Sequence, residues 1–505
     1  MSLRDNRINN MLCTGFKSDT RRLFDEMLAL RHRIATQGHA TFRKWRPRIE
    51  RPSFRLGALN LGHYLALRRQ DLRPLQRQLM HLGLSSLGRA EGRVLASLDA
   101  IILALCGLAG AAAPTDIRRP TQRQFFRGER LLARNSEEVF GAPRAGRSGR
   151  ILVTLGTEAA QEAHVIAQLV ANGADAFRIN CAHDNAELWG RMITHIRAAE
   201  SAAGRRLPVL MDIGGPKVRT DQVTTPPGQE RLYVGDELLL KEGEAGGDGA
   251  FSTRCTLPQV FTRLKIGDPV SLDDGKLRGH IVRQVSGGFV ARIEEGRDKG
   301  IHLKAEKGIN FPGVDLGLDP LTARDRADLD FIAKNADMVG YSFVETAAHV
   351  ALLQDELAAR RDDWRKLGLV AKIETPRAVR NLPEIIVQGA GRQPFAIMIA
   401  RGDLAIELGF ERLAEMQEEI LWLCEAAHVP AIWATQVLEG LVSKGLPSRG
   451  EMTDAAMAAR AECIMLNKGP NAAVAVAALA RLLQRMGEHQ QKKTPTLRAL
   501  RAWAD

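Results

Sequence analysis

The sequence predicts an α/β fold centred on a (β/α)8 TIM barrel. A small all-β domain is inserted after the third strand, and a mostly helical region comes first. Three observations carry this. From residue 150 onward, short apolar strands and amphipathic helices alternate eight times, the rhythm of parallel strands buried on both faces. Residues 219–305 break that rhythm with strand-like pieces rich in Gly, Thr, Val and Asp. No GxGxxG follows the first strand, which weakens the competing open, doubly wound sheet.

Residues 1–149 read as an Arg-rich helical region. Thr20–Ala35 and Leu72–Leu84 have amphipathic helical spacing, with turns at "RPRIERPSF" and "GLSSLGRAEGR". The linker "GAPRAGRSGR" closes the region. The first three barrel strands are "RILVTLG", "AFRINCA" and "PVLMDIG", separated by helices Ala160–Asn172 and Ala186–Glu200. After the insertion a helix at Thr322–Asn335 restores the alternation. Strands follow at "MVGYSFV", "LVAKIE", "FAIMIAR", "PAIWATQ" and "ECIMLN", and a last helix spans Asn471–Glu488. The barrel thus takes residues 150–218 and 306–490, the inserted β domain 219–305, and a C-terminal tail 491–505.

Charge is unevenly spread. The net charge is +12, yet residues 1–150 hold 28 Lys+Arg against 12 Asp+Glu, so the rest of the chain is slightly acidic. Such a region can attract nucleic acid or an acidic protein face. Here the arginines are interleaved with apolar helical periodicity and form no compact run, which favours intramolecular pairing. The six cysteines form no CxxC pair and no metal-ligand spacing, so a reducing, cytoplasmic setting is the default. The N-terminus carries no signal pattern. The longest apolar run, Ile101–Pro114, is too short to span a bilayer and reads as a buried helix or its end.

In such barrels the chemistry sits at the C-terminal ends of the strands. Polar residues gather there: Arg178 and Asn180 on strand two, Asp212 on strand three with Lys217 and Arg219 beyond it, Lys372 and Glu374 on strand five, Arg401–Gly402–Asp403 on strand six, Thr435 and Gln436 on strand seven, and Asn467 and Lys468 on strand eight. Within "VAKIET", Lys372 and Glu374 are two apart and share a strand face. Burying both is costly unless partners repay it. The pair reads either as an internal ion pair or as part of a metal and phosphate site. The register of the strands favours the second reading. Glu374 and Asp403, on adjacent strands, suit Mg²⁺ (or Mn²⁺), which takes one or two protein carboxylates plus water and substrate oxygens. Lysines and arginines beside such an ion suit a phosphoryl group in transfer.

At this point the chain resembles the pyruvate kinase family over about 150–490. The segments that carry the resemblance are "ILVTLGT", "ADAFRINCAHD", "LMDIGGPKVRT", "SLDDG" in the inserted domain, "KGINFPG", "DMVGYSFV", "AKIET", "IMIARGDLAIEL", "IWATQVLEGLVSKGLPSRGEMTDAA" and "CIMLN", all in family order. The resemblance implies Mg²⁺-dependent transfer of a phosphoryl group from phosphoenolpyruvate to ADP, giving pyruvate and ATP. It implies that Glu374 and Asp403 hold the metal. Lys372 then serves the phosphoryl group and the enolate, so that Lys372 and Glu374 are not mainly each other's partners. Arg178 holds the substrate phosphate, Thr435 lies near the protonated carbon, and the Arg401–Asp403 backbone, including Gly402, meets the substrate carboxylate. Asn180 and Arg219 meet nucleotide phosphates. A homo-oligomer is expected.

The departures from the family pattern are also informative. Ala182 and Ile213 stand where the family has serine and threonine beside a K⁺ ion. Lys217 replaces a glutamate, and its ammonium is expected to stand in for K⁺ near Asn180 and Asp212, so no K⁺ requirement is expected. Gly214 replaces a lysine, and "NKGPNA" (Asn467–Ala472) replaces the usual strand-eight loop. The family's C-terminal effector domain has no counterpart in this sequence. Two other functions share these features: a metal-dependent lyase or aldolase acting through a pyruvate enolate, and a catalytically impaired phosphoenolpyruvate- or nucleotide-binding regulator.

Overall fold

The computed structural model describes residues 3–84, 86–244 and 249–495. The tail expected at 491–505 lies outside the described residues from 496 onward.

Eight parallel strands close into a barrel: β1 (Arg150–Thr154), β2 (Ala176–Asn180), β3 (Val209–Asp212), β4 (Met338–Tyr341), β5 (Gly368–Ile373), β6 (Phe395–Ala400), β7 (Ala431–Ala434) and β8 (Cys463–Leu466). The register runs unbroken around the ring. Asn180 pairs with Asp212, Gly340 with both Asp212 and Val370, and Lys372 with Met398. The strands are short, apolar and buried on both faces, as a parallel sheet wrapped in helices requires. The helix after β3 and the insertion begins with a capping box, in which Thr322 and Asp325 bond each other's backbone N–H.

The fourth strand is shorter than the apolar run "MVGYSFV" suggests. It ends at Tyr341, because Phe343 turns into the left-handed region with φ of 54°. That turn frees Ser342 and the Phe343 amide to face the site.

The insertion forms a seven-stranded, mostly antiparallel sheet with its own apolar core, including Leu238, Leu240, Phe261, Ile281 and Phe289. It touches the barrel mouth. A Cβ on Gly275 would meet Ile406 at 3.7 Å, and the Arg278 guanidinium lies 5.9 Å from the centre of the Phe410 ring.

Four main helices build the N-terminal region: α1 (Leu3–Trp45), α2 (Arg55–Arg68), α3 (Arg73–His81) and α4 (Val94–Ala109). Their apolar faces and the barrel's outer helices share one continuous core, from Leu23 and Met27 through Leu98 and Ile102 to Ile420 and Leu421. Residues Glu91–Ala109 are long and apolar enough to cross a membrane by composition alone, but here Leu98, Ile101, Ile102 and Leu105 are buried in that core. Several arginines are paired internally. Arg31 contacts Asp99 at 2.5 Å, Arg51 contacts Glu138 at 2.8 Å, and Arg365 and Arg392 of the barrel both reach Glu50.

The helix Arg127–Phe140 leads into the barrel floor. Val139 and Phe140 join Leu152, Leu210, Val370, Met398, Ile432 and Met465 in the barrel's interior cluster, and Phe140 is fully buried. Gly141 follows with φ of 80°, and its carbonyl accepts from Arg150 at the start of β1. The barrel is thus closed from below by a side chain of the preceding region.

Candidate active site

The ends of β2, β3, β4 and β5 build a dense polar cluster. Lys372 Nζ donates to Ser342 Oγ at 2.7 Å and lies 3.3 Å from Asp212 Oδ2 and 3.2 Å from Glu374 Oε1. Ser342 Oγ in turn donates to the Ile213 carbonyl at 2.7 Å. Arg178 reaches the same Asp212 oxygen through Nε at 2.8 Å and Nη2 at 2.5 Å, and its Nη1 lies 3.3 Å from Thr154 Oγ1. Asp212 is 1% exposed.

The electrostatics follow from these contacts. Burial alone would disfavour the Lys372 ammonium, but Asp212 and Glu374 more than offset it and hold its pKa above the ordinary lysine value. Burial likewise opposes the Asp212 charge, and Lys372 and Arg178 together override it, so its pKa is lowered. Glu374 is less well compensated. Burial raises its pKa despite Lys372, and the nearby Asp403 charge adds to the rise. Its Oε2 accepts the Phe343 N–H at 2.6 Å.

Lys372 and Glu374 are therefore partners of each other in the ligand-free protein, contrary to the expectation from sequence. Asp212 binds Arg178 through two contacts and also draws on Lys372, which is thereby shared between two carboxylates.

Gly340 is required by this packing. A Cβ there would stand 2.6 Å from Asp212 Oδ1. That oxygen is buried and has no hydrogen-bond partner.

The β6 and β7 ends form the second half of the ring. The segment "RGDL" opens a helix, Arg401–Leu408, directly after β6. The Gly402 N–H donates to Thr435 Oγ1 at 2.8 Å. Thr435 sits at φ of 63°, with Gln436 and Leu438 also left-handed, a strained conformation for a β-branched residue. Arg401 locks this turn. It donates to the Ala434 and Thr435 carbonyls at 3.0 and 2.6 Å and pairs with Asp454 at 2.5 Å. Arg401 is thereby engaged in holding the backbone.

Lys217 donates to Asp403 Oδ1 at 2.7 Å and lies 3.9 Å from Asp274 of the inserted domain. Its ammonium thus rests on Asp403 rather than beside Asn180 and Asp212. Asn180 accepts the Ala182 N–H at 3.2 Å. Arg219 stands where the chain enters the inserted domain. Its N–H donates to Thr256 Oγ1 at 2.9 Å, and its Nη1 lies 3.4 Å from the Glu306 carbonyl. It is set apart from the Lys372 cluster but near His183, whose pKa is lowered by burial and then by the charges of Lys468 and Arg219. Asn467 Nδ2 donates to Glu439 Oε2 at 2.9 Å.

The donor set can be tested against a divalent cation. Among the described residues no group of three or more His, Cys, Asp or Glu side chains converges as a metal cage. Two carboxylates, Glu374 and Asp403, are close enough to oppose each other's charge. Two hard oxygen donors with remaining positions open fit Mg²⁺ or Mn²⁺ better than zinc, whose sites are built mainly on His and Cys.

Sequence reasoning missed three members of the site: Ser342, Asp454 and the Phe343 amide. Ser342 lies inside the apolar run "MVGYSFV", and the polar side chain within that run is its only sequence signal.

The fold and site define a (β/α)8 barrel protein that gathers carboxylates, ammonium groups and a guanidinium at the strand C-termini beneath an inserted β domain. The family model "Pyruvate kinase, barrel domain" matches residues 146–475. A pyruvate kinase of Agrobacterium vitis is 31% identical over 355 residues, covering 69% of this chain and 71% of that one. One of Aeropyrum pernix is 34% identical over 306 residues, covering 60% and 62%. One of Geobacillus stearothermophilus is 32% identical over 315 residues, covering 62% and 51%. The chain belongs to the pyruvate kinase family.

Proposed function

We propose that the protein transfers the phosphoryl group of phosphoenolpyruvate to ADP, yielding pyruvate and ATP, with Mg²⁺ or Mn²⁺ held by Glu374 and Asp403. The observation that carries this reading is the placement of Lys372 between two buried carboxylates and beside Arg178 at the mouth of a pyruvate kinase family barrel.

The metal, when bound, supplies positive charge to the phosphoryl and enol oxygens. The remaining work falls to the chain. Arg178, fixed by Asp212, presents its Nη1 edge to the substrate phosphate. The bond between phosphorus and the enol oxygen breaks as an ADP oxygen bonds to phosphorus, and the electron pair stays on the enol oxygen. Lys372, kept charged by Asp212 and Glu374, stabilises that developing negative charge. C3 of the enolate then takes a proton that comes from solvent water, and pyruvate forms in its keto form. The Thr435 hydroxyl accepts from the Gly402 N–H and so keeps its own proton available on that side of the ring. Arg401, with Asp454, holds the turn that places Thr435. Asn180 and Arg219 serve the nucleotide phosphates.

We assign no K⁺ requirement. Ala182 and Ile213 offer no hydroxyl for the ion, and the Ile213 carbonyl already accepts from Ser342. The ammonium of Lys217, which rests on Asp403, supplies a monovalent cation in the same ring. A homo-oligomer and a cytoplasmic location accord with the family reading.

Pyruvate formation that depends on ADP and on a divalent metal, with and without K⁺, tests the proposal. Exchange at a C–C bond of pyruvate without nucleotide would identify a lyase or aldolase instead. Binding of phosphoenolpyruvate without turnover would identify a regulator.

A further inference from the structure

The charged groups at the strand ends balance without any metal. Asp212, Glu374 and Asp403 are matched by Arg178, Lys372 and Lys217. Five of these six come from the barrel strands or the helix after β6. Lys217 does not. It lies on the segment that leaves β3 for the inserted domain, and its side chain crosses to Asp403 on the far side of the ring at 2.7 Å. It is mostly shielded, at 16% exposure against 19% for Asp403, so the interaction is poorly screened by solvent. The next carboxylate within its reach is Asp274, at 3.9 Å, on the tip of the inserted domain and 68% exposed.

We infer that Lys217 is a tethered cation that occupies Asp403 in the ligand-free protein and competes with the divalent metal for it. This rests on the assignment of Glu374 and Asp403 as the metal ligands. A divalent ion arriving at Asp403 meets an ammonium already bonded to one of its two oxygens. Either the ion accepts a repelling neighbour or Lys217 leaves. The exit is short, because Asp274 lies beside it and can take the ammonium. Metal entry is thereby coupled to a contact between the barrel and the inserted domain. Coupling of this kind is reciprocal: metal binding loosens the Lys217–Asp403 contact by the same factor by which that contact weakens metal binding. A second consequence concerns charge. With Lys217 retained in the ring, a bound divalent ion leaves the cluster with excess positive charge, which the phosphate of a substrate neutralises. Metal alone binds weakly, and metal with a phosphate-bearing ligand binds well.

The test is direct titration of the full-length protein with Mn²⁺, reading free Mn²⁺ by electron paramagnetic resonance without substrate. Lys217→Met and Lys217→Gln are compared with wild type, after circular dichroism has confirmed that each is folded. Both neutral variants are expected to bind Mn²⁺ about tenfold more tightly, within the usual range of site-to-site coupling. Asp274→Asn removes the alternative acceptor and acts in the opposite sense, weakening Mn²⁺ binding a few-fold. That position tolerates asparagine, because its φ of 57° suits Asn as well as Asp. Unchanged or weaker Mn²⁺ binding in both Lys217 variants overturns the inference. Glu374→Gln separates the two levels of the argument. If wild type binds Mn²⁺ and Glu374→Gln does not, the metal site stands and the Lys217 result decides the inference. If Glu374→Gln binds as well as wild type, the metal site falls and the inference with it.

Discussion

Lys372 Nζ lies 3.2 Å from Glu374 Oε1 and 3.3 Å from Asp212 Oδ2, so one ammonium serves two buried carboxylates at the ends of β5 and β3, on either side of β4. The question posed by two charges on one face of an apolar strand has a double answer. The two side chains form an internal ion pair, and the proposed function assigns the same groups to phosphate and metal.

This arrangement sets what Lys372→Met does. A methionine keeps the apolar stem, and from sequence alone the fold is expected to survive largely intact. The structure predicts a larger cost, because removal of the ammonium leaves Glu374 buried without its cation. Breaking a buried pair costs about 3–5 kcal/mol. Turnover falls by about 10²–10³-fold or more, the size of losing one electrostatic stabiliser of a transition state. Thermal melting and pyruvate formation, measured on the same sample, separate the two effects. Adding Glu374→Gln to Lys372→Met recovers much of the stability and none of the activity.

Gly214 offers the opposite experiment, a gain. A Cβ there would meet Ala182 Cβ at 3.7 Å and Asp325 Oδ1 at 3.8 Å, ordinary contact distances. Gly214→Lys therefore folds without displacement of its neighbours. The added charge is expected to lower the KM for ADP by about fivefold, a contribution of ~1 kcal/mol for a partly exposed charge, with little change in kcat. Steady-state kinetics at varied ADP check this.

A pH effect arises far from the site. Glu425, on the helix Phe410–Ala427, has its pKa raised to about 7, chiefly by burial. The groups around it are Lys492 and Lys493, which oppose the rise, and Glu91 and Glu462, which add to it. Lys492 pairs with Glu462 and Lys493 with Glu91, tying the turn between the short strands Gln490–Gln491 and Thr494–Pro495 to the N-terminal region and to the start of β8. The sign is that of a carboxylate whose folded pKa exceeds its unfolded value. The folded state holds the proton more tightly, so stability falls as pH rises from about 4.5 to about 7. Above that window the full penalty applies, at most about 3 kcal/mol. Glu425→Gln is expected to melt at a higher temperature than wild type at pH 8 and to lose that advantage near pH 4. Melting curves across this range are the check.

How much of this was legible in the sequence depends on what kind of information fixed each part. The strands were legible because a parallel sheet buried on both faces demands short apolar runs, and these stand out between helices. The strand-end residues followed from register alone, which is why Arg178, Lys372, Glu374, Asp403 and Thr435 were identifiable. Pairings across the ring were not. Whether Lys217 faces Asp212 or Asp403 depends on how the segment after β3 crosses the barrel mouth, which no local pattern encodes. The role of Phe140 as the barrel's floor was hidden for the same reason. In sequence it is only the apolar end of an amphipathic helix, and the cluster it joins draws on all eight barrel strands, from Leu152 to Met465. Ser342 was lost because "MVGYSFV" reads as one unbroken strand, and only the left-handed turn at Phe343 reveals that the strand stops early.

The most direct test of the central claim is phosphorus NMR of the full-length protein with phosphoenolpyruvate, ADP and Mg²⁺ in a buffer free of K⁺. The account predicts that the phosphoenolpyruvate signal decays as the γ-phosphate of ATP grows in equal amount, and that Lys372→Met abolishes both changes. Persistence of phosphoenolpyruvate with every nucleoside diphosphate, with or without K⁺, would contradict it.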